Sequence, residues 1–228
     1  MMKPLVLALG LLAMTACATA PAPYDYSAFR SEAPRSIVIL PALNNTTNVE
    51  AHEWFVSTVS RPFGERGYYV YPAWMVKRTL EDSGLGDAAL VHEADTRRLS
   101  PIFGCDAAMY IDIQQWESKY VLIQTNTTVA FEYELRSCKT GETLWANQQQ
   151  LTYSPQASST GNLLGDLVAQ AVVSAIEKAR PNYIPLAQQA NAMAAASPGR
   201  GVPAGPYLPD QYGQDENAYP SALATTVE

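Results

Sequence analysis

The chain has 228 residues, 47% hydrophobic and 16% charged, which supplies one packed domain of ordinary size and is too short for two. A formal charge of −7 repels phosphate backbones, so it argues against nucleic-acid binding and gives the chain as a whole no attraction to anionic lipid. Three cysteines and two histidines exclude a cysteine-rich scaffold and argue against a structural zinc site.

The first segment reads in three zones. Lys3 is the positive start, Pro4 to Ala13 is an apolar run, and Met14-Thr15-Ala16-Cys17 closes it. A helix needs roughly 20 apolar residues to span a bilayer. This run is too short for that and suits a signal peptide. Small residues directly before a cysteine resemble a lipobox, so residues 1–16 are expected to be removed and Cys17 to carry acyl chains. Ala18, by analogy with proteobacterial sorting, favours the outer membrane, with the periplasmic face preferred over the cell surface.

Residues 17–35 are expected to be the lipidated cysteine and its tether, with Tyr24 to Phe29 packing on the domain that follows. Ser36 to Leu40 is a continuous β-branched run, which predicts a strand buried on both faces. Asn44 to Asn48 reads as a polar loop. Trp54, Phe55, Val59 and Phe63 then recur at helical spacing between Val49 and Glu65, with Pro62 expected to kink the helix. Tyr68 to Tyr71 predicts a second strand, and Ala73 to Leu80 and Asp95 to Phe103 predict two further helices, the latter stopped by Gly104.

Three strands follow as an antiparallel meander: Ala107 to Trp116, Tyr120 to Leu135, and Glu142 to Tyr153 after a Lys139-Thr140-Gly141 turn. Gly161 to Ala179 predicts the last strong helix. Leu164, Leu167, Val168, Ala171, Val172, Ala175 and Ile176 share one face, expected to cover the sheet, or else in part to dock a partner. The globular α/β domain is therefore placed at 36–181, a mixed five-stranded sheet flanked by helices. Residues 182–228 are read as a modest Ala-rich helix and a flexible tail.

Cys105 precedes one predicted strand and Cys138 follows its antiparallel neighbour, so both fall at one end of the sheet. The oxidising envelope favours a disulfide over two free buried thiols, and the sequence leaves both readings open. His92, Glu93, Asp95 and Ser100 superficially offer a base, an acid and a nucleophile. A surface face and a helix cap explain His92 and Asp95 more simply, and no nucleophile elbow is present. No cofactor-binding, metal or catalytic residue is assigned.

Several stretches taken together resemble a known family. They are Tyr24 to Phe29, Ser36 to Pro41, Gly67 to Pro72, Ile102 to Ile111, Thr140 to Trp145, Leu163 to Gly165 and Ser197 to Arg200. Over about Tyr24 to Tyr207 they are similar to a bacterial lipoprotein family that includes a neisserial surface-lipoprotein vaccine candidate. The resemblance implies a fold like the amino-terminal domain of the periplasmic protein TolB and a tendency to form a homodimer. It also implies association with a curli-secretion-type lipoprotein and a third small lipoprotein, hence a non-catalytic binding role in an envelope export or assembly complex. The alternatives are a periplasmic hydrolase with an unrecognised site, for which a histidine beside a buried carboxylate in a deep pocket would speak, and a cell-surface adhesive protein.

Overall fold

A computed structural model describes residues 24–122, 124–159 and 161–221. The signal segment, Cys17 and its tether up to residue 23, and residues 222–228 lie outside the described residues.

The sheet runs β3-β1-β4-β5-β6, with a sixth short strand, β2, attached to β4. Its strands are β1 (Ser36–Ile39), β2 (Leu43–Asn44), β3 (Tyr69–Val70), β4 (Ala107–Val121), β5 (Gln124–Ser137) and β6 (Thr143–Tyr153). β1 lies parallel to β3 and β4, whereas β4, β5 and β6 form the antiparallel meander. The five-stranded path is the sheet read from the sequence. β2 was hidden because it is only two residues long, Leu43 and the first residue of the polar Asn44 to Asn48 segment, and they pair with Asp112 and Ile113.

β4 is longer than its alternation suggested. A register shift between Ile113 and Gln115 moves the parity by one, so Trp116 joins Met109, Ile111 and Ile113 on the buried face. The strand then continues without a break to Val121.

Helices cover both faces. On one face, α2 (Ala51–Glu65) and α7 (Tyr183–Ala196) pack Phe55, Val59, Phe63, Leu186 and Ala190 against Ile37, Met109, Phe131, Leu135 and Trp145. α2 runs through Pro62, which supplies no N–H to the helix. α1 (Ser27–Glu32) adds Phe29 to the same core, beside Tyr26. On the other face, α3 (Ala73–Asp82), α4 (Ala88–Glu93) and α5 (Leu99–Phe103) bring Val76, Leu80, Val91 and Leu99 onto Val38, Leu40, Ala108 and Tyr110. α4 was not foreseen, and Asp87 caps it by accepting from the Ala89 and Leu90 amides. The Cys105–Cys138 bond, Cα to Cα 6.0 Å, closes this second core where β4 begins and β5 ends.

Two expectations are corrected. The domain does not stop at residue 181. α7 lies in the main core, and the segment after it is strapped across the molecule instead of hanging as a flexible tail. Val202, Ala204 and Tyr219 are buried. Tyr26 donates its hydroxyl to the Gly201 carbonyl at 2.8 Å, and Tyr68 donates to the Pro203 carbonyl at 2.7 Å. Asp215 pairs with Arg30 at 2.8 Å and Arg66 at 3.6 Å, and accepts the Ala204 amide. Backbone crosses backbone here: a Cβ on Gly205 would meet the Gly67 carbonyl oxygen at 2.2 Å, and Gly67 itself holds φ +87°.

The second correction concerns α6 (Leu163–Ala179), whose apolar face points away from the sheet. Leu164 is 75% exposed, and Leu167, Val168, Val172 and Ile176 are exposed with it, while Ser174 and Glu177 are the buried residues. Burying a Leu, Ile or Val fully is worth about 1.5–3 kcal/mol, a stabilisation this helix leaves unclaimed.

Candidate functional site

α3, α4 and α5 cover the second face of the sheet only over β1 and the start of β4. Beyond them a recess of about 850 Å³ opens on the bare face and wraps round the edge of β6. Tyr110 and Asp112 of β4, Glu132, Glu134 and Arg136 of β5, and Gln148 of β6 alternate onto this face. α4 contributes His92, and Tyr24 and Arg200 close the far side.

His92 is largely enclosed, with 10% of its side chain exposed. Its Nε2 lies 3.0 Å from the Pro41 carbonyl, which can only accept, so that nitrogen carries the proton. Nδ1 faces an Asp112 carboxylate oxygen at 3.5 Å. The ring stands edge-on to Tyr110, 5.1 Å between centroids. Burial lowers the His92 pKa below its ordinary value, against the opposing pull of the Pro41 carbonyl and Asp112.

Across the recess the Arg136 guanidinium lies over the Tyr110 ring, 4.4 Å from its centre, and donates to Glu134. Burial raises the Glu134 pKa, but the hydrogen bonds from Arg136 and Thr143 outweigh it and leave the carboxyl below its ordinary value. Asp112 and Glu132 sit directly opposite each other in the β4–β5 register, a like-charge pair that Gln148 relieves in part by donating to Glu132 at 3.2 Å.

The sequence singled out His92, Glu93, Asp95 and Ser100, and the structure separates them. His92 enters the recess, while Asp95 caps the short turn Thr96–Arg98 and pairs with Arg97. His52 is exposed on α2. The residue that joins His92 is Asp112, twenty positions away, and only the strand register could have announced it. This pair falls short of the arrangement that would favour a hydrolase, because the Asp112 side chain is 32% exposed and not buried. Nε2 is engaged by the Pro41 carbonyl, Nδ1 faces a carboxylate, and neither is aimed at a hydroxyl or thiol. Among the described residues no group of three His, Cys, Asp or Glu side chains could hold a metal ion.

The edge of β6 is the second feature. β6 ends the sheet, and its sequence Thr-Leu-Trp-Ala-Asn-Gln-Gln-Gln-Leu-Thr-Tyr carries neither charge nor proline, the usual guards against strand addition. The Ala146 amide points outward and donates to the Tyr24 hydroxyl at 3.0 Å. By the alternation of an antiparallel ladder, the amides of Gln148, Gln150 and Thr152 point the same way. Tyr24 thus caps one end of the edge.

A family model described as "Putative lipoprotein GNA1162-like" matches residues 24–207. The "Putative lipoprotein NMB1124/NMB1162" of Neisseria meningitidis serogroup B is 36% identical over 173 residues, covering 75% of this chain and 80% of that protein. The crystal structure of lipoprotein GNA1162 from Neisseria meningitidis aligns with a TM-score of 0.52 at 34% identity, over 63% of this chain and 98% of that one. A PelC dodecamer from Paraburkholderia phytofirmans aligns at 12% identity and a TM-score of 0.39, over 63% of this chain and 85% of that one. The chain belongs to the GNA1162-like lipoprotein family, and as a lipoprotein it is a membrane-anchored protein of the cell envelope.

Proposed function

We propose that this lipoprotein is a non-catalytic docking component of an export or assembly complex at the outer membrane, held there by acyl chains on Cys17 with its domain in the periplasm. The observation that carries this reading is the unguarded edge of β6. An extended segment of a partner adds to such an edge through main-chain hydrogen bonds and draws specificity from the side chains beside it. The polar recess lies alongside and offers those side chains. The partner we favour is a curli-secretion-type, ring-forming lipoprotein.

A photo-crosslinking residue in place of Gln150 in intact cells tests this. It should capture one envelope lipoprotein, identified by mass spectrometry. In a second chain with the crosslinker at Thr152, Gln150→Pro should abolish the capture, because proline removes an outward amide while leaving the β5 ladder intact. Crosslinks that survive the proline would overturn the edge as the docking element.

The hydrolase reading keeps one supporting observation, the His92–Asp112 pair. Hydrolysis of a panel of ester and amide substrates that His92→Gln abolished would revive it.

A further inference from the structure

α6 is amphipathic in the opposite sense to a core helix. Its inner side is polar: Gln170 donates to the Pro155 carbonyl at 3.0 Å, and Glu177 accepts from Thr127 and from the Asn182 amide. The Ser174 carbonyl accepts from Thr125 at 2.8 Å. These bonds fix the orientation, so the aliphatic stripe from Leu164 to Ile176 is held outward.

A second element exposes apolar side chains at the same end. β4 finishes in Tyr120 and Val121, and Leu122 in the turn is 88% exposed with φ +58°, a conformation bulky residues avoid. Lys178 ties the helix to this hairpin by donating to the Ser118 carbonyl at 2.7 Å. Tyr153 is exposed beside them, opposite Thr127 in the register. Although the chain is acidic overall, the exposed cations Lys119, which also pairs with Glu117 at 2.7 Å, Lys178 and Arg180 rim this end.

Reach and charge together select what covers it. Cys17 is seven residues before Tyr24, a span of at most about 24 Å. Tyr24 caps Ala146, and the seven residues from there along β6 to Tyr153 cover about 23 Å. An anchored Cys17 can therefore lie level with α6. No described helix is long and apolar enough to cross a membrane. A helix whose polar side is bonded to β5 can only lie flat.

We propose that this end of the molecule rests in the surface of the bilayer that holds Cys17. α6 lies along the headgroups with its aliphatic stripe facing the acyl chains, and the Leu122 turn dips beside it. Lys119, Lys178 and Arg180 meet lipid phosphates, and Tyr120 and Tyr153 sit at headgroup level, where amphipathic rings are favoured. The proposal rests on the reading that Cys17 is acylated.

The test uses the full acylated chain in phosphatidylethanolamine/phosphatidylglycerol vesicles, with a bimane probe on Leu122→Cys, on Val168→Cys, and on Glu53→Cys as a control on α2. All three positions are exposed, so folding is spared. Brominated lipid should remove most emission at 122 and 168 and none at 53. Probes at 122 and 168 that ignore brominated lipid but respond to an aqueous quencher overturn the proposal. So does shielding from both quenchers, which would mean that a second copy or another protein covers the face. The mass of the Cys17 peptide reports acylation separately. If acyl chains are absent, the anchor reading fails, and quenching at 122 and 168 on floated vesicles still decides for or against this face.

Discussion

The hydroxyl of Tyr133 donates to the side-chain carbonyl of Asn191 at 2.7 Å in the middle of the main core, and the Asn191 amide donates onward to Thr58 at 2.8 Å. The sheet, α7 and α2 thus share one buried polar chain, which fixes their register more sharply than the surrounding alanines could. Asn191→Ala should destabilise the protein by about 1–3 kcal/mol, because it strands the Tyr133 hydroxyl. Urea denaturation measures this. Adding Tyr133→Phe should restore part of the loss, since no buried donor is then left without an acceptor.

Removal of the Cys105–Cys138 bond frees a closure across 33 positions. On the loop-entropy account its loss, by reduction or by paired alanine substitution, should lower unfolding stability by about 3–4 kcal/mol. Non-reducing gel mobility and urea midpoints measured with and without reductant check this together.

Acid should weaken the fold through His92. Its folded pKa lies below the ordinary 6.5, so folding expels a proton. Its contribution is complete above pH 6.5 and is lost as the pH falls through 6.5 towards the folded value. Glu134, below its ordinary 4.5, acts in the same direction further down, with stability present above 4.5 and lost beneath it. The urea midpoint should therefore fall between pH 7 and pH 5.5. His92→Gln, which keeps a donor for Pro41, should flatten that slope. A slope unchanged by the substitution would assign the effect elsewhere.

Gly205→Ala sets a methyl group against the Gly67 carbonyl. It should destabilise by about 1–3 kcal/mol, in the range of overpacked sites. Limited proteolysis should show cleavage between Pro203 and Tyr219 before the sheet gives way.

How far the sequence spoke depended on what kind of signal each part carried. The β4–β6 meander was legible because alternation and the Lys139-Thr140-Gly141 turn are local. α6 was legible as a helix, but periodicity reveals only which residues share a face. Whether that face turns inward is decided by Thr125 and Thr127, which offer polar partners 49 and 50 positions upstream of Ser174 and Glu177. Residues 201–221 resembled a disordered tail because aliphatic side chains are scarce there. They are held instead by Asp215 between two arginines and by tyrosine hydroxyls on main-chain carbonyls, contacts that composition cannot encode. The recess stayed hidden because His92 and Asp112 meet only through the pairing of β2 with β4.

Tyr26 accepts its neighbours from the far side of the chain: its amide bonds the Pro220 carbonyl and its ring packs edge-on to Tyr219. The first and the last described stretches of the chain thus clasp each other. A chain that has paired its strands but not yet laid residues 201–221 across the molecule lacks half of that clasp. The rigidity of the Tyr26 corner therefore waits on the residues farthest from it in sequence.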